Sequence, residues 1–427
     1  MKEIIDIFKT ITKIPHCSFH AEKLKEYIVD EAKKYGCEVQ TDKYSNILVS
    51  KGKPNICLQA HYDMVCIADA PDIEIVEDEG FLKAKNSSLG ADNGIGVAMM
   101  LYFLQKYENI EALFTADEEV GLIGAVNLEL RIKSKNLLNL DSEEEGHIFV
   151  GCAGGVEIFG TKEIEYEKLK SGYDFYQIKT RGFQGGHSGV DIDKNIPNAI
   201  KELVFYLNDL KDVKIIKIEG GEAVNSIAKN ACVVIAVKDE ELKESENIAV
   251  KKIENNFDKY IRFSDETIKM LCQFAHGVRS FDKKFDIPKT SINLAKIEQK
   301  EDVLNLSFFA RSMDNNSLER IKKETFCFLQ SFSFTPRSEH QFPAWNPSIN
   351  EFSKKVKKIA EKYFENVDFK AIHAGLECGI IQDKFKDLNT LSLGPNIYFP
   401  HSNKEKCEIA SVKKSAKLVE EILKEMQ

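Results

Sequence analysis

The chain reads as an α/β domain with a central, mostly parallel sheet flanked by helices, interrupted by an inserted α+β domain. Three observations carry this. Over the first 140 residues or so, short apolar runs alternate with segments of helical period, the pattern of βα units. From residue 173 the texture changes to longer alternating runs and Gly-rich turns, and near residue 343 helix–strand alternation returns. The length of 427 residues exceeds one typical domain. The boundaries drawn are 1–172 and 343–427 for the first domain and 173–342 for the insertion.

Composition narrows the class. Hydrophobic content of 43% supports ordinary cores. Lys and Arg number 59 against 68 Asp and Glu, a net charge of −9, which argues against nucleic acid as the main ligand. No apolar run approaches the roughly 20 residues of a membrane span, so no membrane partner is expected. The N-terminus, Met1-Lys2-Glu3-Ile4-Ile5-Asp6, sets acids inside its only apolar patch, unlike a signal peptide. Ten cysteines are scattered without a C-x-x-C pair. In a chain of this size that predicts reduced thiols and a cytoplasmic location.

In chain order, residues 3–35 carry helical periodicity broken at Ile14-Pro15-His16-Cys17-Ser18, with Ser18 a candidate cap for a helix over 19–35. Residues 46–50 and 55–60 read as strands, the second running into His61-Tyr62-Asp63. The turn Ser87–Gly96 feeds an apolar helix over 97–104. A strand at 112–116 ends in Asp117-Glu118-Glu119, a helix follows at 122–130, and a strand over 136–140 ends in Asp141. The insertion reads as strand 173–181, a Gly-rich turn around His187, helix 197–210 and strands near 213–218 and 231–237. A charged helix over 239–259 and strands at 289–297 and 303–310 complete it. Helix 352–364, strand 390–393 and helix 409–425 return to the first domain, around the loop Gly394–His401.

Three strands thus end in ionisable residues: His61 with Asp63, Glu118 with Glu119, and Asp141. In open α/β sheets ligands bind outside the carboxyl ends of strands. Each element alone has an ordinary explanation. H-x-D is equally a hydrogen-bonded strand end, Asp92 between Gly90 and Gly94 equally a helix cap, and Asp-Glu-Glu equally a solvated turn. Together with His401, in a loop made rigid by Pro400, they supply mixed nitrogen and oxygen donors that suit zinc, manganese or cobalt. Adjacent Glu118 and Glu119 diverge, so that one can hold a metal while the other takes a proton.

The segments Gln59–Val65, Ser88–Gly96, Thr115–Gly121, Asn139–Glu143, Gly151–Gly155, Gly185–Ile192, His373–Gly379 and Phe399–Ser402 resemble the aminoacyl-histidine (Xaa-His) dipeptidase family. That family lies within the carboxypeptidase-G2/carnosinase clan of di-zinc metallopeptidases. The resemblance runs along nearly the whole chain. It implies a catalytic domain with an inserted lid, and two divalent ions, zinc first, with manganese or cobalt as alternatives. Asp92 would bridge the ions, His61 and Asp141 hold one, and Glu119 and His401 the other. Glu118 would be the general base and Asp63 the residue orienting His61. His187 would polarise the scissile carbonyl, Asn225 and Arg311 contact substrate, and Glu377 meet a substrate amine. Without the resemblance, His187 is equally a Gly-turn histidine and Arg311 equally a solvated strand-end base. The implied activity is hydrolysis of dipeptides, including Xaa-His and β-alanyl-His, by a cytosolic enzyme, often a homodimer. The same metal set also serves tripeptide aminopeptidases and N-acyl amino acid deacylases. A non-catalytic binding protein on this scaffold would have lost Glu118 or a ligand, and none is lost. One departure falls in the insertion, where Asn225-Ser226-Ile227-Ala228-Lys229 replaces the usual Asn-Ala-Ile-Pro-Arg.

Overall fold

The strand Ile56–His61 is buried at all six positions, and so is its neighbour Ile110–Thr115. Strands buried on both faces read as continuous apolar runs and pair in parallel. Both hold here: Ile56–His61 pairs in parallel with Ile110–Thr115 on one side and with Asn136–Asn139 on the other. Asn136–Asn139 pairs in parallel with Asn389–Ser392. These four strands are the centre of an eight-stranded sheet, ordered Glu38–Thr41, Ile47–Lys51, Ile110–Thr115, Ile56–His61, Asn136–Asn139, Asn389–Ser392, His147–Cys152, Asp368–Ile372. Glu38–Thr41 with Ile47–Lys51, Ile47–Lys51 with Ile110–Thr115, and Asn389–Ser392 with His147–Cys152 pair antiparallel.

The computed structural model describes residues 2–254 and 257–426. It divides into two units, one of residues 1–152, 345–371 and 376–427, the other of residues 153–344 and 372–375. The first division therefore falls near 152, about twenty residues ahead of the boundary drawn from sequence. The cause is Gly154–Glu163, a ten-residue strand paired with Val303–Ser312 and Thr335–Phe342 of the second unit.

In the first unit, helix Ala91–Lys106 is buried along most of its length, as a helix apolar all round must be. Gly94 lets the Phe8 ring approach, since a Cβ there would lie 3.0 Å from it. The helical span opens six residues earlier than the apolar run predicts, but it is kinked at Asp92 and Asn93, whose dihedrals are non-helical, so Asp92 stands in a turn ahead of the regular helix. The helix expected at 122–130 shortens to Ile123–Val126.

The second unit is a nine-stranded sheet with helices Ala199–Asn208, Ser264–Gln273 and Asn315–Ser331. The charged helix expected over 239–259 does not form. Ile248–Lys252 is instead an edge strand paired with Asp174–Thr180, Lys259–Ile261 pairs with Tyr166–Lys168, and residues 255 and 256 lie outside the described residues. Backbone pairing at the sheet edge overrides the helical preference of a Lys- and Glu-rich stretch.

Cys17 and Cys66, 49 residues apart, are joined as a disulfide with Cα atoms 5.5 Å apart. This corrects the expectation of uniformly reduced thiols. Chain folding brings the two loops together, which spacing alone does not reveal. Among the described residues the other eight cysteines form no disulfide. Among the described residues no helix is long and apolar enough to cross a membrane.

Candidate metal centre

The carboxyl ends of the four parallel strands lead into the segments that bear the candidate ligands. His61 closes the strand Ile56–His61, Glu118 and Glu119 follow Ile110–Thr115, and Asp141 follows Asn136–Asn139. His401 lies in the loop between Ile397–Tyr398 and Lys406–Glu408. In-register pairing of His61 with Thr115 and of Gln59 with both Leu113 and Asn139 levels these ends.

Asp92 stands between the two histidines. Its Oδ1 lies 3.1 Å from His61 Nε2 and its Oδ2 lies 3.1 Å from His401 Nε2. His61 Nε2 is also 3.3 Å from Asp141 Oδ1, and His401 Nε2 is 2.8 Å from Glu119 Oε2. Three donor groups result, each with its atoms within 4.8 Å of one another: His61, Asp92 and Asp141; Asp92, Glu119 and His401; and His61, Glu118 and Glu119. The first two share Asp92.

Asp63 is buried beneath them and does more than face His61. His61 Nδ1 lies 3.0 Å from the Asp63 carbonyl and 3.6 Å from its Oδ1. Asp63 Oδ1 also accepts the Glu118 N–H at 3.0 Å, and Oδ2 accepts the Glu119 N–H at 3.4 Å and the Ser18 hydroxyl at 2.7 Å.

The electrostatics leave a negative surplus. Burial, with Glu119, Asp141 and Glu377 nearby, holds the Glu118 carboxyl well above the usual carboxylate range. Burial likewise raises Glu119, and pushes Asp141 up to about 6 and Glu143 up to about 9. Burial alone would lower the His61 ring, but Asp141, Asp63 and Asp92 around it raise it well above 6.5. Glu119 Oε1 is buried and accepts no hydrogen bond among the described residues, and the buried Asp141 Oδ1 has His61 Nε2 at 3.3 Å. Several buried carboxylates around two imidazoles, with acceptor atoms left over, fit divalent cations, because only positive charge offsets their desolvation.

In the second unit, His187 ends the two-residue strand Gly186–His187, paired with Ser226–Ile227. Its Nδ1 accepts the N–H groups of Gly189 and Val190, each at 3.3 Å. Its Nε2 lies 3.3 Å from Arg311 Nη2, a group that can only donate. Arg311 is buried, stacks on the Phe309 ring at 4.3 Å and reaches the Ser188 hydroxyl at 3.4 Å. Asn225 accepts the Ser188 N–H on its carbonyl at 2.8 Å. Glu377 is fully buried, its Oε2 accepting from Gln59 at 2.5 Å and Thr115 at 2.6 Å, while its Oε1 has no hydrogen-bond partner among the described residues.

Sequence reasoning missed four residues here. Ser18 holds Asp63, His16 is buried beside Asp63 and His61, and Glu143 faces Asp92, Asp141 and His401. Glu405 accepts four backbone N–H groups at 89–92. Glu405 lies between Lys404 and Lys406 and reads as solvated charge; its distance of four residues from His401 was the available signal.

Acids and histidines gathered at the carboxyl ends of a parallel sheet are the make-up of a metal-dependent hydrolase centre. The chain belongs to peptidase family M20/M25/M40, whose description matches residues 57–425, and it is a metallopeptidase. It is similar to the cytosol non-specific dipeptidase of Escherichia coli, strain K12, with 32% identity over 470 residues, covering 99% of this chain and 97% of the relative. The aminoacylhistidine dipeptidase of Vibrio alginolyticus superposes with a TM-score of 0.83 at 28% identity, covering 100% of this chain and 96% of that one. A tripeptidase from Staphylococcus aureus shares the fold, with a TM-score of 0.61 at 18% identity and coverage of 100% and 98%.

Proposed function

We propose that this chain is a dipeptidase that works with two divalent cations, zinc first, on dipeptides including Xaa-His and β-alanyl-His. The observation that carries this is Asp92, whose two oxygens each face a different histidine at 3.1 Å. A carboxylate divided in this way suits a bridge between two cations. His61 and Asp141 would hold one, Glu119 and His401 the other. The names of the Escherichia coli and Vibrio alginolyticus relatives support the dipeptide as substrate.

When bound, the cations would polarise the scissile carbonyl and acidify the attacking water. Glu118 takes the proton from that water and returns one to the leaving amine. Asp63 fixes the His61 ring and the backbone of both glutamates, so that base and ligands keep their separation. His187 would serve as the oxyanion donor through a protonated ring nitrogen. Arg311 offers a planar fork to the substrate carboxylate, with Asn225 beside it. Glu377 supports the strand ends from beneath through Gln59 and Thr115. A cytosolic location and a homodimer follow from the same resemblance.

The test is a panel of dipeptides, a tripeptide and an N-acyl amino acid, assayed with apo-enzyme reconstituted in zinc, manganese or cobalt. Metal-dependent release of amino acids from dipeptides is expected. Turnover confined to the tripeptide or the N-acyl substrate would reject the substrate assignment, and no metal-dependent turnover would reject the centre.

A further inference from the structure

Glu405 stands immediately before the strand Lys406–Glu408, four residues past His401. It is 3% exposed although lysines flank it on both sides. Its Oε2 accepts the N–H groups of Leu89 at 2.7 Å and Gly90 at 3.0 Å, and its Oε1 those of Ala91 at 2.8 Å and Asp92 at 3.3 Å. These four consecutive N–H groups lie in a turn ahead of the regular helix, since Asp92 and Asn93 take non-helical dihedrals, and buried N–H groups with no helical partner need an acceptor. The segment it grips is the one that bears Asp92. Gly90, with φ +69°, takes a left-handed turn there, and a Cβ on it would lie 2.7 Å from Met64 Sδ. The segment is thus pinned from both sides.

We propose that Glu405 is a positioning residue for the metal centre, clamping the Asp92 turn to the loop that carries His401. The clamp is short. The turn Phe399–Glu405 closes on itself, with Ser402 Oγ donating to the Phe399 carbonyl at 2.7 Å and the Glu405 N–H donating to the Ser402 carbonyl at 3.2 Å. Beyond it, Lys406–Glu408 is paired to Phe81–Ala84 and to Ile397–Tyr398. His401 and Asp92 lie 309 residues apart in sequence. Glu405 is the side chain that holds the backbone of one to the backbone of the other. His401 is half exposed, so its own packing does little to fix it, and the spacing to Asp92 depends on this bond set.

Glu405→Gln keeps the size but turns one oxygen into an NH2 group facing two N–H donors. The inference rests on the metal-centre reading, and the experiment separates the two. Apo-protein is titrated with zinc against a chromophoric chelator, and kcat and KM are measured at saturating zinc. Expected for Glu405→Gln is zinc affinity weaker by about 10–100-fold, the usual loss when a ligand's support is removed, with lower kcat and unchanged KM. Glu405→Asp, which keeps the charge, should recover part of both. Glu111→Gln is the structural control. Glu111 is also fully buried and accepts the N–H groups of Lys133 and Ser134 at 2.9–3.1 Å, away from the ligands. It should lower the melting temperature and leave zinc affinity alone. Wild-type zinc affinity in Glu405→Gln, whatever its melting temperature, overturns the proposal. If that variant does not fold, Glu405→Ala is judged by the same criterion. Wild-type protein that takes up no zinc overturns the metal-centre reading instead.

Discussion

Asp63 Oδ1 accepts the backbone N–H of Glu118 at 3.0 Å, across two neighbouring strands of the sheet. The same carboxylate takes the Glu119 N–H at 3.4 Å and faces His61 Nδ1 at 3.6 Å. One buried side chain therefore sets the relative position of a candidate base and two candidate ligands.

Asp63→Asn should be costly out of proportion to its size. The amide NH2 would meet backbone N–H groups or leave them unpaired, at about 1–3 kcal/mol for a buried donor. Zinc affinity should fall by about 10–100-fold. Zinc competition and thermal unfolding measure the two effects. A variant that keeps both zinc affinity and kcat would show that Asp63 is only a strand-end acid.

Glu118 and Glu119 are adjacent and alike, yet their substitutions should differ. Glu119→Gln weakens a donor beside His401 and should lower metal occupancy, because a neutral amide is a poorer ligand for a divalent cation. Glu118→Gln should keep metal and substrate binding and lose about 10²–10⁴-fold in turnover, the share of a general base. Metal content and kcat on one dipeptide decide this. Loss of metal in Glu118→Gln with retention in Glu119→Gln would exchange the two roles.

His187 and Arg311, 3.3 Å apart in the second unit, should separate in kinetics. His187→Ala should cost about 10²–10³ in kcat, as loss of one oxyanion donor does. Arg311→Lys loses the planar fork and should raise KM for substrates with a free carboxylate. Arg311 is also packed on Phe309, so circular dichroism and melting temperature accompany the assay. Near-wild-type kcat in a folded His187→Ala protein would remove His187 from the mechanism.

One histidine outside the site carries a pH dependence of stability. His276 Nδ1 accepts the Leu294 N–H at 3.1 Å, and burial, aided by Lys201, holds the ring down at about 4. In the unfolded chain it titrates near 6.5. The folded state therefore binds its proton less readily than the unfolded state. The contribution is complete above pH 6.5 and is lost as pH falls toward 4, at most about 3 kcal/mol. His276→Asn keeps an acceptor for Leu294 and does not titrate. Denaturant unfolding at pH 7 and pH 4.5 should show a smaller decline in the variant than in wild type. Parallel declines would count against the assignment.

Much of the candidate site was legible because strand ends are written in local sequence. A β-branched or apolar run followed by His61, Glu118 or Asp141 announces a sheet edge where side chains must find polar company. Alternation of short strands and helices likewise determined the α/β class. Tertiary structure decided whatever depends on residues far apart in the chain. Only folding sets Asp92 between His61 and His401, lets Asp63 reach two glutamate N–H groups, and buries Glu405 among lysines. It also set Glu377 Oε2 against Gln59 and Thr115, drew Ile248–Lys252 into a sheet edge against its helical composition, and joined Cys17 to Cys66. Local periodicity records which face of an element is apolar. It does not record which distant backbone group will satisfy a buried carboxylate, since that is set by the packing of the whole unit.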